Sequence, residues 1–166
     1  MKKMIDVLKK IGLMALLAGV LVSCLDEDEP HVYTSEEEVE NRNKYLDALI
    51  EDGQDIDTLD NELYYVVREE GEGRNIQLLD SLSIGYAGYL IDGRLFDASN
   101  KYSFVFEEDM FIDGWHKALP LMNEGAKFEF IIPSELAYGS AGYGPIPPYQ
   151  TLLFVIEVLE NHSVEE

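Results

Sequence analysis

The chain has 166 residues, 46% of them hydrophobic, and a formal net charge of −21 at pH 7. That length accommodates one ordinary domain with residues to spare, and seven Phe, ten Tyr and one Trp exclude a wholly disordered chain. So large an excess of acid repels phosphates and anionic headgroups, which argues against nucleic acid as a partner and favours neutral or cationic ones.

Residues 1–10 are rich in lysine, and residues 11–22 are an uninterrupted apolar run. The run falls short of the ~20 residues that a spanning helix needs, but it suits the hydrophobic region of a secretory signal. It ends in Leu21-Val22-Ser23-Cys24, which resembles the lipobox of bacterial lipoproteins, and Cys24 is the only cysteine. The resemblance implies cleavage after residue 23 and acylation of the Cys24 thiol. The protein is then exported and anchored to a membrane through lipid, without a spanning segment. The outer membrane is the expected one, on either its periplasmic or its outward face. Losing residues 1–23 removes Lys2, Lys3, Lys9 and Lys10 against only Asp6, so the remainder is more acidic still. Residues 24–33 read as an acidic spacer, whose Asp26-Glu27-Asp28-Glu29 is either a surface-export tag or a solvated stretch.

Thr34-Ser35-Glu36-Glu37-Glu38 reads as a helix start, with Ser35 and Glu38 at capping-box spacing and acids at the positive end of the dipole. The helix is expected to run to about Asp52. Its intermittent apolar stripe of Val39, Tyr45, Leu46, Leu49 and Ile50 would pack on the following domain or on a second copy. Residues 53–61 form a polar connection, so residues 34–60 are assigned as a helical segment with its linker. From Leu63 the apolar period falls to two, and strands are expected at residues 63–69, 80–91, 104–106, 126–132 and 151–159. Asp92-Gly93 and Asn123-Glu124-Gly125 mark reversals between them. One short helix, around residues 112–119 and stopped near Pro120, interrupts the strands. The expected fold class is α+β, an antiparallel sheet wrapped around one short helix and preceded by an N-terminal helix.

No nucleophile stands beside a base, and no metal-ligand spacing appears. His116 is a lone helix histidine, His31 and His162 fall in the spacer and tail, and Glu107-Glu108-Asp109 lacks the Asx/Gly spacing of a calcium loop. Gly139, Gly142 and Gly144 come without the Lys and Ser/Thr of a phosphate loop. Neither a metal nor a cofactor is expected.

Five ordered motifs remain. Tyr86-Ala87-Gly88 is followed by Asp92-Gly93-Arg94-Leu95-Phe96-Asp97, then Ile112-Asp113-Gly114-Trp115, then Leu136-Ala137-Tyr138-Gly139, then Ile146-Pro147-Pro148 leading to Phe154. Their order and spacing resemble the FKBP family of peptidyl-prolyl cis-trans isomerases across residues 61–160, which leaves residues 161–166 as a tail. The resemblance implies an FKBP-like fold and catalysed rotation of Xaa-Pro bonds in exported, proline-containing polypeptides. It implies a pocket with Trp115 as floor, Tyr86, Phe104, Ile112 and Phe154 as walls, and Phe96 and Asp97 at the side. The Tyr86 hydroxyl is the implied partner of Asp97, and Tyr138 is expected to reach the substrate carbonyl. The loop holding Tyr143 and Ile146 forms a lip. Candidate catalytic residues are therefore Tyr86, Phe96, Asp97 and Tyr138; candidate substrate-binding residues are Phe104, Phe111, Ile112, Trp115, Tyr143, Ile146 and Phe154. The macrolide that inhibits the family is a candidate ligand, and the oligomeric state stays open.

Two departures bear on this. Residues 99–103 are shortened and leave Asp97 without a basic partner unless Lys101 turns inward, and Met110-Phe111 replaces the Glu-Val common in the family. They leave room for an alternative, a non-catalytic chaperone or peptide-binding module using the same pocket.

Overall fold

The computed structural model describes residues 32–60, 63–107 and 111–163. The leader, Cys24, the acidic run at residues 25–29, Glu108-Asp109-Met110 and the last residues of the tail lie outside the described residues.

The first helix among the described residues, α1, spans Ser35–Glu51. Its cap lies one residue earlier than the expected frame: Thr34 Oγ1 accepts from the Glu37 N–H at 3.2 Å, and Glu37 Oε2 accepts from the Thr34 N–H at 3.3 Å. The sequence offers both frames, and burial decides between them. Glu38 is 7% exposed and turned inward, so Glu37 is the acid left to close the box.

Strands β1 (Asp57–Leu59), β2 (Leu63–Glu69), β3 (Ser81–Leu90) and β4 (Leu95–Val105) precede the short helix α2 (Asp113–Ala118), and β5 (Lys127–Ile132) and β6 (Leu152–His162) follow it. Single 3-10 turns lie at Leu119–Leu121 and Ser134–Leu136. The strands form one antiparallel sheet in the order β1-β2-β5-β6-β3-β4. Asp92-Gly93 turns β3 into β4, with Gly93 at φ 87° as a reversal this tight requires.

Side-chain alternation divides the core between the two faces of the sheet. Leu63, Phe128, Phe130, Ile132, Leu152, Phe154, Ile156 and Val158 point to the face covered by α2, where Trp115, Ala118 and Leu119 meet them. The intervening residues Val66, Ile131 and Leu153 point to the opposite face, where Leu49 and Tyr45 of α1 cover them. There Glu129 of β5 accepts from the Tyr45 hydroxyl at 2.6 Å and from Arg68 Nε at 3.1 Å. The amphipathic stripe of α1 thus packs on its own domain. Val39 and Ile50 of that stripe remain exposed.

Two strand expectations are corrected. The strand expected at residues 104–106 is only the end of the much longer β4, which stops at Val105 and is an edge strand whose polar Ser99-Asn100-Lys101 segment shows no apolar alternation. The connection at residues 53–61 contains β1, which is held to β2 by backbone pairing and contributes only Leu59 to the core.

Candidate active site

A cavity of about 790 Å³ opens between α2, the β3–β4 hairpin and the loop after β5. Its floor is Trp115, 4% exposed, on α2. The helix can carry the indole this deep because Gly114 lies against Ile132 of β5, where a Cβ would run into the Ile132 side chain. Three rings frame the indole. Tyr86 stands edge-on at 5.4 Å, Phe154 edge-on at 5.3 Å, and Phe111 lies tilted at 4.9 Å. Such edge-to-face contacts fix ring positions as well as burying area.

Strand irregularities aim the side wall. Gly88 pairs with Asp97 while the next residue, Tyr89, pairs with Leu95, so β4 carries one extra residue there, Phe96. This bulge lets the consecutive residues Phe96 and Asp97 both line the cavity, which strict alternation forbids. Gly88 completes the wall by absence: a Cβ at that position would come within 2.6 Å of the Phe96 ring and 2.8 Å of the Phe154 ring. Those two rings meet edge-on at 5.5 Å.

Tyr86 donates its hydroxyl to Asp97 Oδ2 at 2.8 Å. Burial, reinforced by that bond to a carboxylate, pushes the Tyr86 phenol up to about 12. It therefore remains a donor throughout the physiological range. Lys101 turns away from the site and pairs with Glu160 at 3.0 Å. Asp97 is consequently held by a phenol, not by a cation.

The opposite lip comes from the loop between β5 and β6. Tyr138 and Tyr143 stack at 5.1 Å with 14° between their planes, and both line the cavity. Burial raises the Tyr138 phenol above its ordinary value, so it too stays protonated near neutrality. The lip turns tightly at Gly142, φ 66°, where a Cβ would meet the Ile146 carbonyl oxygen at 2.5 Å.

Of the residues named from sequence, Tyr86, Phe96, Asp97, Phe111, Ile112, Trp115, Tyr138, Tyr143 and Phe154 all line this cavity. Phe104 and Ile146 do not. Phe104 backs the wall by packing on Phe111 at 4.8 Å, and Ile146, 5% exposed, turns into the core while its backbone bonds to Tyr143. Sequence reasoning missed Tyr102, Asp113 and Ala137 in the lining. Tyr102 alternates with Phe104, a spacing that was the available signal for it; its ring meets Tyr86 edge-on at 6.2 Å. Among the described residues, no group of three or more His, Cys, Asp or Glu side chains is placed to share a metal ion.

The arrangement is an aromatic bowl with tyrosine hydroxyls and two carboxylates, Asp97 and Asp113, at its edge. It suits a compact apolar ring bearing a polar amide, and it presents no activated nucleophile.

The family model described as FKBP-type peptidyl-prolyl cis-trans isomerase matches residues 72–159. A probable FKBP-type peptidyl-prolyl cis-trans isomerase of Haemophilus influenzae is 37% identical over 69% of this chain and 48% of its own. The outer membrane protein MIP of Legionella longbeachae is 37% identical over 58% of this chain and 43% of its own. A solved peptidyl-prolyl cis-trans isomerase from Pseudomonas syringae pv. tomato superposes with a TM-score of 0.67 at 29% identity, over 80% of this chain and 99% of that one. The chain spans about half the length of the curated relatives it matches.

Proposed function

The chain belongs to the FKBP-type peptidyl-prolyl cis-trans isomerase family, and from that premise we propose that its pocket accelerates rotation about Xaa-Pro bonds in proline-containing polypeptides. The observation that carries the reading is the Trp115 floor, framed by Tyr86, Phe111 and Phe154, with Asp97 tied to Tyr86 at its side.

The isomers of an Xaa-Pro bond differ by only about 0.5–1 kcal/mol, yet a barrier of about 18–20 kcal/mol separates them. That barrier is lost amide resonance. In the twisted transition state the C–N bond is single and the nitrogen pyramidal, so the amide is less dipolar than when planar. Water stabilises the planar dipole more than the twisted one. A bowl that takes the prolyl ring out of water lowers the relative cost of twisting, with no covalent step and no proton abstracted.

In this scheme the prolyl ring lies on Trp115, between Tyr86 and Phe154. Asp97 acts by holding the Tyr86 ring in its edge-on position, and Phe96 closes the side against water. Tyr138 donates its hydroxyl to the substrate carbonyl, and Tyr143, stacked on it, shapes the lip. Ile112 and Phe111 complete the wall. The macrolide inhibitor of the family would compete for the same bowl.

On an Xaa-Pro peptide, Tyr138→Phe and Asp97→Ala are each expected to lower kcat/KM by about tenfold or more, the scale of losing one positioned hydrogen bond. Both variants retaining wild-type rates would sink the assignment of these residues.

We place the protein outside the cytoplasm, anchored through lipid on Cys24 with the outer membrane as its site. The lysine-rich leader and the lone Cys24 at its end support this, and one similar protein is named an outer membrane protein. Mass spectrometry of the mature N-terminus is expected to find an acylated Cys24 that Cys24→Ala abolishes; an unmodified, uncleaved leader would contradict the anchor.

A further inference from the structure

Residues 32–60 lie upstream of the family-matched segment at residues 72–159, yet they supply a buried carboxylate to the loop that forms the lip. Glu38, in the first turn of α1, accepts from the Ser134 N–H at 2.6 Å and the Thr151 hydroxyl at 2.9 Å through Oε1. Its Oε2 accepts from the Ser134 hydroxyl at 2.5 Å. Arg42 Nη1 lies 3.7 Å away on the next turn. Ser134 and Thr151 are 2% and 1% exposed, so water does not replace this acceptor at either residue.

The placement of the two donors gives the contact its meaning. Ser134 opens the 3-10 turn at the end of β5, and its carbonyl oxygen accepts from the Ala137 and Gly139 N–H groups that flank Tyr138. Thr151 is the last residue before β6. One carboxylate therefore pins both roots of the loop that carries Tyr138 and Tyr143, while the rest of α1 is docked on the far face of the sheet. A packing role for α1 alone would be met by Leu49 and Tyr45 and does not require a buried acid at residue 38.

We infer that Glu38 is a positioning residue of the active site: by clasping Ser134 and Thr151 it sets the lip against Trp115, making α1 a working part of the isomerase. The inference rests on the isomerase reading above, and it acts through Tyr138 without Glu38 touching substrate.

The test compares the full chain with Glu38→Ala, Glu38→Gln and Leu49→Ala variants, reading kcat/KM on an Xaa-Pro peptide and deuterium exchange of the loop amides at residues 139–150. Glu38→Ala is expected to lower kcat/KM about tenfold and to speed loop exchange about tenfold or more. Glu38→Gln keeps the shape and one accepting oxygen, so it recovers part of both. Leu49→Ala loosens the same helix about three turns away and lowers the melting temperature, but leaves kcat/KM within about twofold and loop exchange unchanged. Equal losses of activity in Glu38→Ala and Leu49→Ala, or unaltered loop exchange in Glu38→Ala, overturn the inference. If Glu38→Ala does not fold, Thr151→Val removes the bond at one root and is expected to cost about threefold in kcat/KM; no loss overturns the claim. A wild-type chain that accelerates no peptide refutes the isomerase reading instead, and the exchange comparison still decides whether Glu38 sets the loop.

Discussion

Asp80 shows how one buried carboxylate fixes a turn at the start of β3. It accepts from Arg74 Nη1 and Nη2, both at 2.7 Å, and from the Gln77 N–H at 2.8 Å. The Arg74 bonds hold its carboxyl below the ordinary value against the opposing effect of burial. A depressed folded-state pKa means the charged form favours folding. The stabilisation is complete above about pH 4, the unfolded value, and is lost as pH falls through the lower folded-state value. Asp80→Asn should therefore cost about 1–2 kcal/mol at pH 7 in urea unfolding, and the gap to wild type should narrow as the pH falls below the unfolded value. A gap that persists or widens in acid would refute this. The same attention to single residues separates what the sequence disclosed about the site from what it hid. Asp97, a carboxylate in an apolar stretch, announced its need for a donor, and the family resemblance supplied Tyr86 as that donor; the 2.8 Å bond joins the two. Phe104 and Ile146 were misplaced because sequence order does not say which of two neighbouring apolar residues a bulged strand or a tight loop turns inward.

At the scale of elements, legibility followed burial. β2 was read with the bounds it has, and β3, β5 and β6 within a few residues, because each buries apolar side chains against the covered sheet faces. β4 was read only at its apolar end, since an edge strand needs no inner alternation, and the polar β1 left no signal. The frame of the α1 cap was decided by a contact almost a hundred residues away, Glu38 with Ser134, which no local pattern contains. The bulge at Phe96 and the close approach at Gly88 are likewise properties of paired strands. These are the features that convert an apolar sheet face into a pocket. They explain why the motif order disclosed the site while its exact lining awaited the structure.

At the scale of the molecule, the sheet is covered on both faces, by α2 beneath the pocket and by α1 behind it. The domain outlined from sequence began at residue 61, but its structural unit begins at residue 32, with α1 inside it. The full chain carries a formal net charge of −21, so long-range electrostatics attracts basic polypeptide stretches and repels acidic ones. Trp115 is the only tryptophan, so its fluorescence reports on the pocket alone. The central claim is that the bowl over Trp115 rotates Xaa-Pro bonds, and the most direct measurement is peptide isomerisation by the purified full chain. The assay is run with and without the family's macrolide while Trp115 emission is followed. The account predicts catalysed isomerisation that the macrolide abolishes over the same concentration range in which it shifts Trp115 emission. Isomerisation at the uncatalysed rate by a folded chain, or catalysis that persists once Trp115 emission shows the bowl filled, would contradict it.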